Sequence, residues 1–299
     1  MATLYTQQGN NIRKTWFLMT AFFIMVIAIG YLAAYIMGSP GILYGAVVVA
    51  LIMNVGSYWF SDKLVIKMTG AQPATKASHP MLWNVVENLS ITAGLPMPKV
   101  YVVNDKAPNA FATGRNPEHA AVAATSGLLD ILSQTELEGV MAHELSHVGN
   151  RDMLVSTVAV VLAGFVAILA DILIRSMAFG SDRDDSRVGA AFLVIGVIGI
   201  ILAPVAAKMI QLAISRKREY LADASGALLT RYPEGLASAL EKIHAYALPM
   251  ARANTATAHL FIADPFGSDH KTFRQKLSNL FQTHPPAEDR VRILREMAK

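Results

Sequence analysis

Two histidines four residues apart, with a glutamate between them, lie near the middle of the chain in the segment HELSH. On a helix, His143 and His147 are separated by about 40°, so both imidazoles can reach one metal ion. Glu144 lies beside that face, where its carboxylate can hold the water molecule that the metal activates. The spacing indicates a hydrolytic zinc site. A helix carrying two hydrogen-bonded histidines is the alternative for so short a motif.

A hydrolytic zinc site needs a third protein ligand and one open coordination position. The segment EYLAD supplies Glu219 as that ligand and Asp223 one helical turn later. Asp223 can accept the outer N–H of a ligand histidine, and Asp152, which follows HELSH closely, is a candidate for the same supporting role. A pair of surface carboxylates, which is common on helices, is the alternative for EYLAD.

The helix that carries HELSH has a recognisable beginning. Ser133 and Glu136 form a capping-box pattern, which predicts a helix from near Gln134 through the motif.

Upstream, the chain reads as a helix followed by two short strands. The apolar face of that helix is predicted to contain Met81, Val85, Leu89 and Ile91, and Gly94 ends it. Strands are predicted at 99–104 and 119–127, with a polar turn region between them. Residues 252–269 show little periodicity and are predicted to form a mobile loop.

The composition is that of a membrane protein. Of 299 residues, 53% are hydrophobic and only 16% are charged, whereas soluble domains average about a quarter charged. The absence of cysteine excludes disulfides, thiolate metal sites and cysteine-based catalysis. The net charge of +4 is mild and includes no long basic run, so no nucleic acid partner is indicated.

Long uncharged stretches predict four membrane-spanning helices. The chain has no charged residue from 15 to 61, which is room for two spans of about 20 residues each, placed at 16–37 and 41–61. A cleaved signal peptide would have a shorter apolar region. Two later runs predict spans at 153–174 and 189–212, for which a buried hairpin in a soluble domain is the alternative.

Basic residues flank these spans unevenly. They are Arg13 and Lys14, then Lys63, Lys67 and Lys76, then Arg216, Lys217 and Arg218. By the positive-inside rule HELSH faces the cytoplasm, although arginines between the third and fourth spans argue the other way. HELSH directly precedes the third span and EYLAD directly follows the fourth. An antiparallel hairpin would therefore bring Glu219 to the histidine pair.

Taken in order, these motifs make the chain resemble the HtpX family of membrane zinc metalloproteases, relatives of the zinc-dependent CAAX prenyl proteases. The resemblance covers nearly the whole chain. Besides the two span pairs, it is carried by NAFATG (109–114), HELSHVGNRDM (143–153), EYLAD (219–223) and THPPAEDRV (283–291). It implies a mainly α membrane protein with about four transmembrane helices and a zincin-like α+β catalytic domain carrying a small β-sheet.

The expected domain organisation follows from the spans. A first transmembrane hairpin would occupy 1–62, and a second would occupy 153–214. The catalytic domain would be formed by 63–152 with the HExxH helix and 215–299 with the third ligand.

The resemblance also implies roles for individual residues. His143, His147 and Glu219 would bind one Zn²⁺ per chain, with Glu144 as general base and acid. His284 and Arg290 stand at the spacing of the prenyl-protease relatives, where such residues stabilise the tetrahedral intermediate.

NAFATG is similar to the family's edge strand beside the cleft. Asn109 would contact the substrate or the zinc-bound water. The strand residues that would pair with an extended substrate peptide are Ala110, Phe111, Ala112 and Thr113.

Members of this family act in membrane-protein quality control and the stress response. The expected partners are therefore misfolded protein substrates and the lipid bilayer, and self-cleavage is a further expectation. The expected location is the inner membrane of a prokaryote, as a multi-pass protein.

Site-specific processing is the second enzymatic hypothesis, although four spans are few for the enclosed chamber of prenyl-protein enzymes. A non-catalytic adaptor with a structural zinc is the third, and Glu144 argues against it because a structural site needs no base.

Overall fold

The structure is a computed structural model that describes residues 4–179, 216–246, 248–253, 257–267 and 285–298. The predicted fourth span at 189–212 and His284 lie outside these residues. Within them the fold is mainly helical, with one small mixed β-sheet.

The helices are α1 (Leu4–Met37), α2 (Pro40–Trp59), α3 (Ser61–Thr69), α4 (Pro80–Ala93), α5 (Ser126–Ile131), α6 (Gln134–Gly149), α7 (Asp152–Phe179), α8 (Arg216–Thr230), α9 (Pro233–Tyr246) and α10 (Ala287–Met297). The strands are β1 (Gln72–Pro73), β2 (Lys99–Val103), β3 (Ala110–Gly114) and β4 (Ala120–Thr125). Short 3₁₀ turns cover Pro117–His119 and Ala258–Leu260.

Two of the described helices are long and apolar enough to cross a membrane. They are Gln8–Tyr35 in α1, with a mean hydropathy of 2.3, and Pro40–Trp59, with 1.7. A third candidate arises only if α6 and the first part of α7, which meet at an 82° bend, are taken as one broken span. The described residues therefore contain two or three candidate membrane helices, and the predicted count of four is not confirmed.

Helix α7 joins the membrane helices to the rest of the molecule. Its first half packs against α1 and α2 in an apolar cluster that includes Phe22, Ala50 and Val158. A separate core holds the sheet against α4, α6 and α9. The HELSH helix α6 thus lies in the centre of the second core, directly before the helix that reaches the membrane cluster.

The sheet has the strand order β1-β2-β4-β3. Strands β2 and β4 are parallel, while β1 and β3 are each antiparallel to their neighbour. Among the described residues β3 is an edge strand, and all five of its residues are buried. Its position beside α6 and α7 places it along the candidate site.

The structure bears on three local predictions. The segment 110–114 is a strand, as the resemblance implied, and not the polar turn region that its composition indicated, because its alanines and Phe111 fill the core on both faces. Ile91 is 74% exposed, since the inward face of α4 passes through Val86 and Ser90 instead. Within the predicted mobile loop at 252–269, the structure has a 3₁₀ turn at Ala258–Leu260 that contacts β3 and α7, followed by the buried Phe261 and Ile262.

Candidate metal centre

Helix α6 begins where the capping box predicted. The Ser133 side chain accepts a hydrogen bond from the Glu136 N–H, and the Glu136 carboxylate accepts one from the Ser133 N–H. Lys242 and Ser238 on α9 also donate to that carboxylate, at 2.7 and 2.5 Å. Burial alone would raise the pKa of Glu136, but these hydrogen bonds lower it to about 2. An ionised Glu136 therefore fixes the first turn of the motif helix.

The three predicted ligands converge on one point. The Nε2 atoms of His143 and His147 lie 3.2 Å apart. Oε2 of Glu219 lies 3.8 Å from Nε2 of His143, and Oε1 lies 3.7 Å from Nε2 of His147. Ligand atoms about 2.0–2.1 Å from a tetrahedral zinc are separated by about 3.3 Å. The donor set and its spacing therefore fit a zinc ion, with one coordination position left open.

A glycine allows the two ligand helices to approach each other. At Gly226 on α8, an added Cβ would lie 3.0 Å from the backbone nitrogen of His143. This close contact occurs two helical turns after Glu219, so the backbone contact and the ligand lie on the same side of α8.

Behind His143, an acidic side chain holds the imidazole. Oδ1 of Asp223 lies 2.9 Å from Nδ1 of His143, and Arg290 donates to both Asp223 oxygens at 2.6 and 2.8 Å. An Nδ1–H that donates to Asp223 leaves the Nε2 lone pair for a metal. Asp223 therefore lies where it could support His143 as a ligand.

His147 has an equivalent support. Oδ2 of Asp152 lies 3.3 Å from Nδ1 of His147. Asp152 reaches this position because the chain turns sharply between α6 and α7, where Arg151 adopts a left-handed conformation with φ of 57°. The Asp152 carboxylate is buried and begins α7, so the N-terminal helix dipole also stabilises its charge.

The electrostatic environment of the two histidines differs. Burial lowers the pKa of His143 to about 4 despite Asp223, so this imidazole is neutral near pH 7. Burial acts in the same direction on His147, but the charges of Glu219 and Asp152 outweigh it and raise its pKa to about 9. The field at His147 therefore favours positive charge, which a divalent cation between the ligands would supply.

The convergence point opens into a small cavity of about 40 Å³. It is lined by Ala112, Glu144, His147, Asp152, Met153, Ser156, Arg218, Glu219 and Leu260. Glu144 and the β3 residue Ala112 therefore face the same space as the ligands. That volume accommodates water molecules.

Two other predicted residues have contacts that differ from those expected. Asn109 is 2% exposed, and its amide forms a reciprocal pair of hydrogen bonds with the backbone of Ala263, at 2.9 and 3.1 Å. Arg290 contacts Asp223 and lies 3.4 Å from Nδ1 of His143, on the side of the ring opposite the ligand nitrogen. Neither residue lines the cavity. Asn109 instead binds the backbone at Ala263, and Arg290 binds the Asp223 carboxylate.

The remaining strand residues have mixed environments. Phe111 packs edge-on against Phe261 at 5.2 Å between ring centroids. The Thr113 hydroxyl lies 3.1 Å from that of Thr157. The carbonyl of Ala110 accepts a hydrogen bond from the Ile262 N–H, so residues 257–263 cover the beginning of the strand edge.

Sequence reasoning missed the polar side chains that surround Asp152. Asn11 in α1 donates to it at 2.7 Å, and Arg218 beside the ligand Glu219 lies 3.4 Å away. The available signals were a polar residue at the beginning of an apolar span and an arginine next to a metal ligand. Neither signal alone indicates a contact between segments this distant in the chain.

The chain combines apolar helices of membrane-spanning length with a domain in which an HExxH helix faces a glutamate. This combination defines a membrane-associated metalloprotease. The model of the family described as Peptidase family M48 matches residues 76–298, and the chain belongs to that family. It is accordingly a hydrolase that cleaves peptide bonds.

Curated relatives match over nearly their whole length. A "Protease HtpX homolog" of Syntrophobacter fumaroxidans is 50% identical over 292 residues, which cover 97% of this chain and 100% of that protein. A "Protease HtpX homolog" of Caldanaerobacter subterraneus subsp. tengcongensis is 44% identical over 303 residues, with 99% and 98% covered.

A solved structure has a similar fold. The crystal structure of S. mikatae Ste24p matches with a TM-score of 0.51 and 17% identity, covering 89% of this chain and 62% of that one. At this identity the similarity concerns the fold alone.

Proposed function

We propose that this protein is a zinc-dependent endopeptidase that degrades misfolded or damaged membrane proteins at the cytoplasmic face of the inner membrane of a prokaryote. The observation that carries the proposal is the convergence of His143, His147 and Glu219. Glu144, which is not one of these three candidate ligands, lines the same cavity. The curated relatives named as proteases, from bacteria, support it.

The donor set favours zinc. Two imidazoles and one carboxylate are the ligands of catalytic zinc sites, and one ligand atom from each of the three residues lies within 4.8 Å of the others. When bound, the ion would polarise the scissile carbonyl and make a water molecule acidic enough to attack it.

The protein side chains would then move protons and hold the ligands. Glu144 is the general base that takes a proton from the attacking water and the acid that returns it to the leaving amine. Asp223 and Asp152 keep the imidazole Nε2 atoms directed at the metal. His284 stays our candidate for the donor that stabilises the oxyanion, a proposal that rests on the sequence resemblance.

Strand β3 is the proposed docking edge for the substrate. Among the described residues it has a strand partner only on its β4 side. Residues 257–263 cover the edge at Ala110, and Ala112 lies further along, at the cavity with Glu144. An extended substrate that pairs with this edge would be held by main-chain hydrogen bonds, which give little sequence selectivity. Such selectivity suits the degradation of diverse damaged proteins.

Aromatic and basic residues at the end of α2 support the proposed orientation. The Arg115 guanidinium lies 4.5 Å from the Trp59 ring centroid, and Lys63 lies 5.5 Å from that of Phe60. Such residues concentrate at the membrane–water interface, with positive charge on the cytoplasmic side. They are on the side of α2 from which the chain enters the catalytic domain.

The proposal is tested with full-length protein purified in detergent, stripped of metal, reloaded with zinc and incubated with casein. We expect zinc-dependent cleavage by the wild type and no turnover by Glu144→Gln, which should still bind zinc. Glu138→Gln is the matched control, because this carboxylate lies on the same helix outside the cavity. If the wild type and Glu144→Gln cleaved casein at the same rate, the assignment of Glu144 as the general base would be overturned.

The same preparation separates other functions. Zinc binding without cleavage of casein or of an unfolded membrane protein would favour the adaptor hypothesis. Mass spectrometry of the incubated enzyme detects self-cleavage directly.

A further inference from the structure

The carboxylate behind His147 is held from the membrane side. Oδ2 of Asp152 faces Nδ1 of His147 at 3.3 Å. Its other oxygen, Oδ1, accepts a hydrogen bond of 2.7 Å from the side-chain amide of Asn11. The two oxygens of one carboxylate therefore link a metal ligand to the first candidate membrane helix.

Asn11 directs its whole amide group toward this link. It is 3% exposed and lies within the apolar segment Gln8–Tyr35 of α1. The second amide hydrogen is donated to the backbone carbonyl of Asn150 at 3.1 Å. The amide oxygen accepts from Arg218 at 3.3 Å.

This arrangement depends on the chemistry of an asparagine. Burying an amide is costly unless its hydrogen bonds are formed, and here each polar atom of the amide has a partner. The group supplies a donor to Asp152 and an acceptor to Arg218 without adding charge. An aspartate at the same position has nearly the same shape but would place a carboxylate oxygen against Oδ1 of Asp152.

We propose that Asn11 is a positioning residue for the metal centre, fixing the Asp152 carboxylate so that the imidazole of His147 is held in its ligand orientation. This inference rests on the proposed metal site and adds to it a requirement for a residue of the membrane helix. Because α1 carries the residue, a shift of that helix in the bilayer changes the support of a metal ligand. The membrane helix would thereby help to position the metal centre as well as anchor the protein.

A purely structural role is the competing explanation, and the chain offers a control for it. Gln8, one turn earlier on α1, donates to the backbone carbonyl of Gly149 at 2.7 Å. It attaches α1 to the same turn between α6 and α7 through a backbone carbonyl rather than through the Asp152 carboxylate. Asn11→Ala removes more hydrogen bonds than Gln8→Ala does, so a loss of helix attachment alone should lower zinc affinity in each variant only in proportion to its loss of melting temperature.

The test compares full-length Asn11→Asp, Asn11→Ala and Gln8→Ala in detergent. Zinc dissociation constants are measured by titration in chelator-buffered zinc, and melting temperatures are measured after metal removal. Loss of a partner that orients a ligand weakens metal binding by roughly 10–100-fold. We expect that loss for Asn11→Asp, a smaller loss for Asn11→Ala, and a change of no more than about 3-fold for Gln8→Ala.

A double variant reverses the donor and the acceptor. In Asn11→Asp combined with Asp152→Asn, the new amide at 152 can donate to the new carboxylate at 11 while its oxygen still faces Nδ1 of His147. The hydrogen bond from position 11 to the Asn150 carbonyl is not restored, so the expected recovery is partial. Zinc affinity recovered at least tenfold relative to Asn11→Asp would support the link. If Asn11→Asp does not fold, the comparison of Asn11→Ala with Gln8→Ala decides the question in the same way.

Two results would overturn the inference. If the wild type binds zinc and the Asn11 variants bind it as tightly as Gln8→Ala does, Asn11 only attaches the helix and the proposed function stands. If the wild type fails to bind zinc, the proposed function and this inference fall together.

Discussion

Oδ1 of Asp223 lies 2.9 Å from Nδ1 of His143, and both side chains are almost completely shielded from solvent. Arg290 holds the same carboxylate through Nε and Nη2. The charge of the carboxylate raises the pKa of Arg290 although burial opposes it. The three side chains join α6, α8 and α10 in one buried charged cluster behind the metal ligand.

Removing one member of this cluster should be costly. Asp223→Leu would leave Arg290 buried without its partner, so we expect the free energy of unfolding of the metal-free protein to fall by about 3–5 kcal/mol. Asp223→Leu combined with Arg290→Met should recover most of that loss but still bind zinc weakly, because His143 has lost its support. Denaturant unfolding in detergent, with chelator present, measures both values. A double variant as unstable as the single one would contradict this interpretation.

The carboxylate that caps α6 predicts a pH dependence of stability. The pKa of Glu136 is lowered from 4.5 to about 2 in the folded protein, so its contribution is complete above pH 4.5 and is lost as the pH falls toward 2. Relative to Glu136→Gln, the wild type should be more stable by on the order of 2–3 kcal/mol near pH 7, by about half of that at pH 3 and by little below about pH 2. Melting curves of the metal-free proteins check this.

Glu138→Gln is the control for that comparison, because it removes a partly exposed carboxylate from the same helix, where it accepts a hydrogen bond from Gln134. A difference between wild type and Glu136→Gln that stayed constant down to the lowest pH would show that the charge is not responsible.

The close approach of α8 to α6 predicts the effect of enlarging Gly226. A valine there would place its branched side chain against the backbone of His143, where even a Cβ lies at 3.0 Å. We expect separation of the two ligand helices, a loss of about 1–3 kcal/mol in stability and a zinc affinity weakened by roughly tenfold or more.

Leu228→Val introduces the same β-branched residue at an exposed position of α8 and should change zinc affinity little. Gly226→Ala should fall between the two. If Gly226→Val binds zinc as the wild type does, the helices tolerate a wider separation than the geometry implies.

Asn109 provides a test between two roles. Its amide bonds to Ala263 predict that Asn109→Ala destabilises the protein by about 1–3 kcal/mol, because the partly buried N–H and C=O groups of Ala263 lose their partners. A direct substrate contact would instead raise KM with the melting temperature unchanged. Measuring both quantities for Asn109→Ala, beside the exposed Asn104→Ala as control, separates the roles.

The sequence predicted the parts of the fold that depend on local signals. The capping box at Ser133 located the beginning of α6, and Gly94 located the end of α4. The uncharged stretch up to Ser61 indicated the two apolar helices α1 and α2. In each case the cause lies within a few neighbouring residues.

Features that depend on packing between distant segments of the chain were harder to predict from the sequence. Strand β3 is rich in alanine, and its strand conformation is stabilised by pairing with β4 and by burial between α6 and α7. The contact of Asn11 with Asp152 joins residues 141 apart in the chain. Periodicity reports which residues are buried but not which distant polar group each one meets.

The spectrum of the bound metal would test the central claim most directly. X-ray absorption at the zinc edge, recorded on the zinc-loaded wild type and on Glu219→Ala, reports the ligand atoms. The account predicts two imidazole nitrogens and a carboxylate oxygen at about 2.0–2.2 Å in the wild type, with the carboxylate contribution lost in Glu219→Ala. A wild-type zinc site without the two imidazoles, or one unchanged by Glu219→Ala, would contradict it.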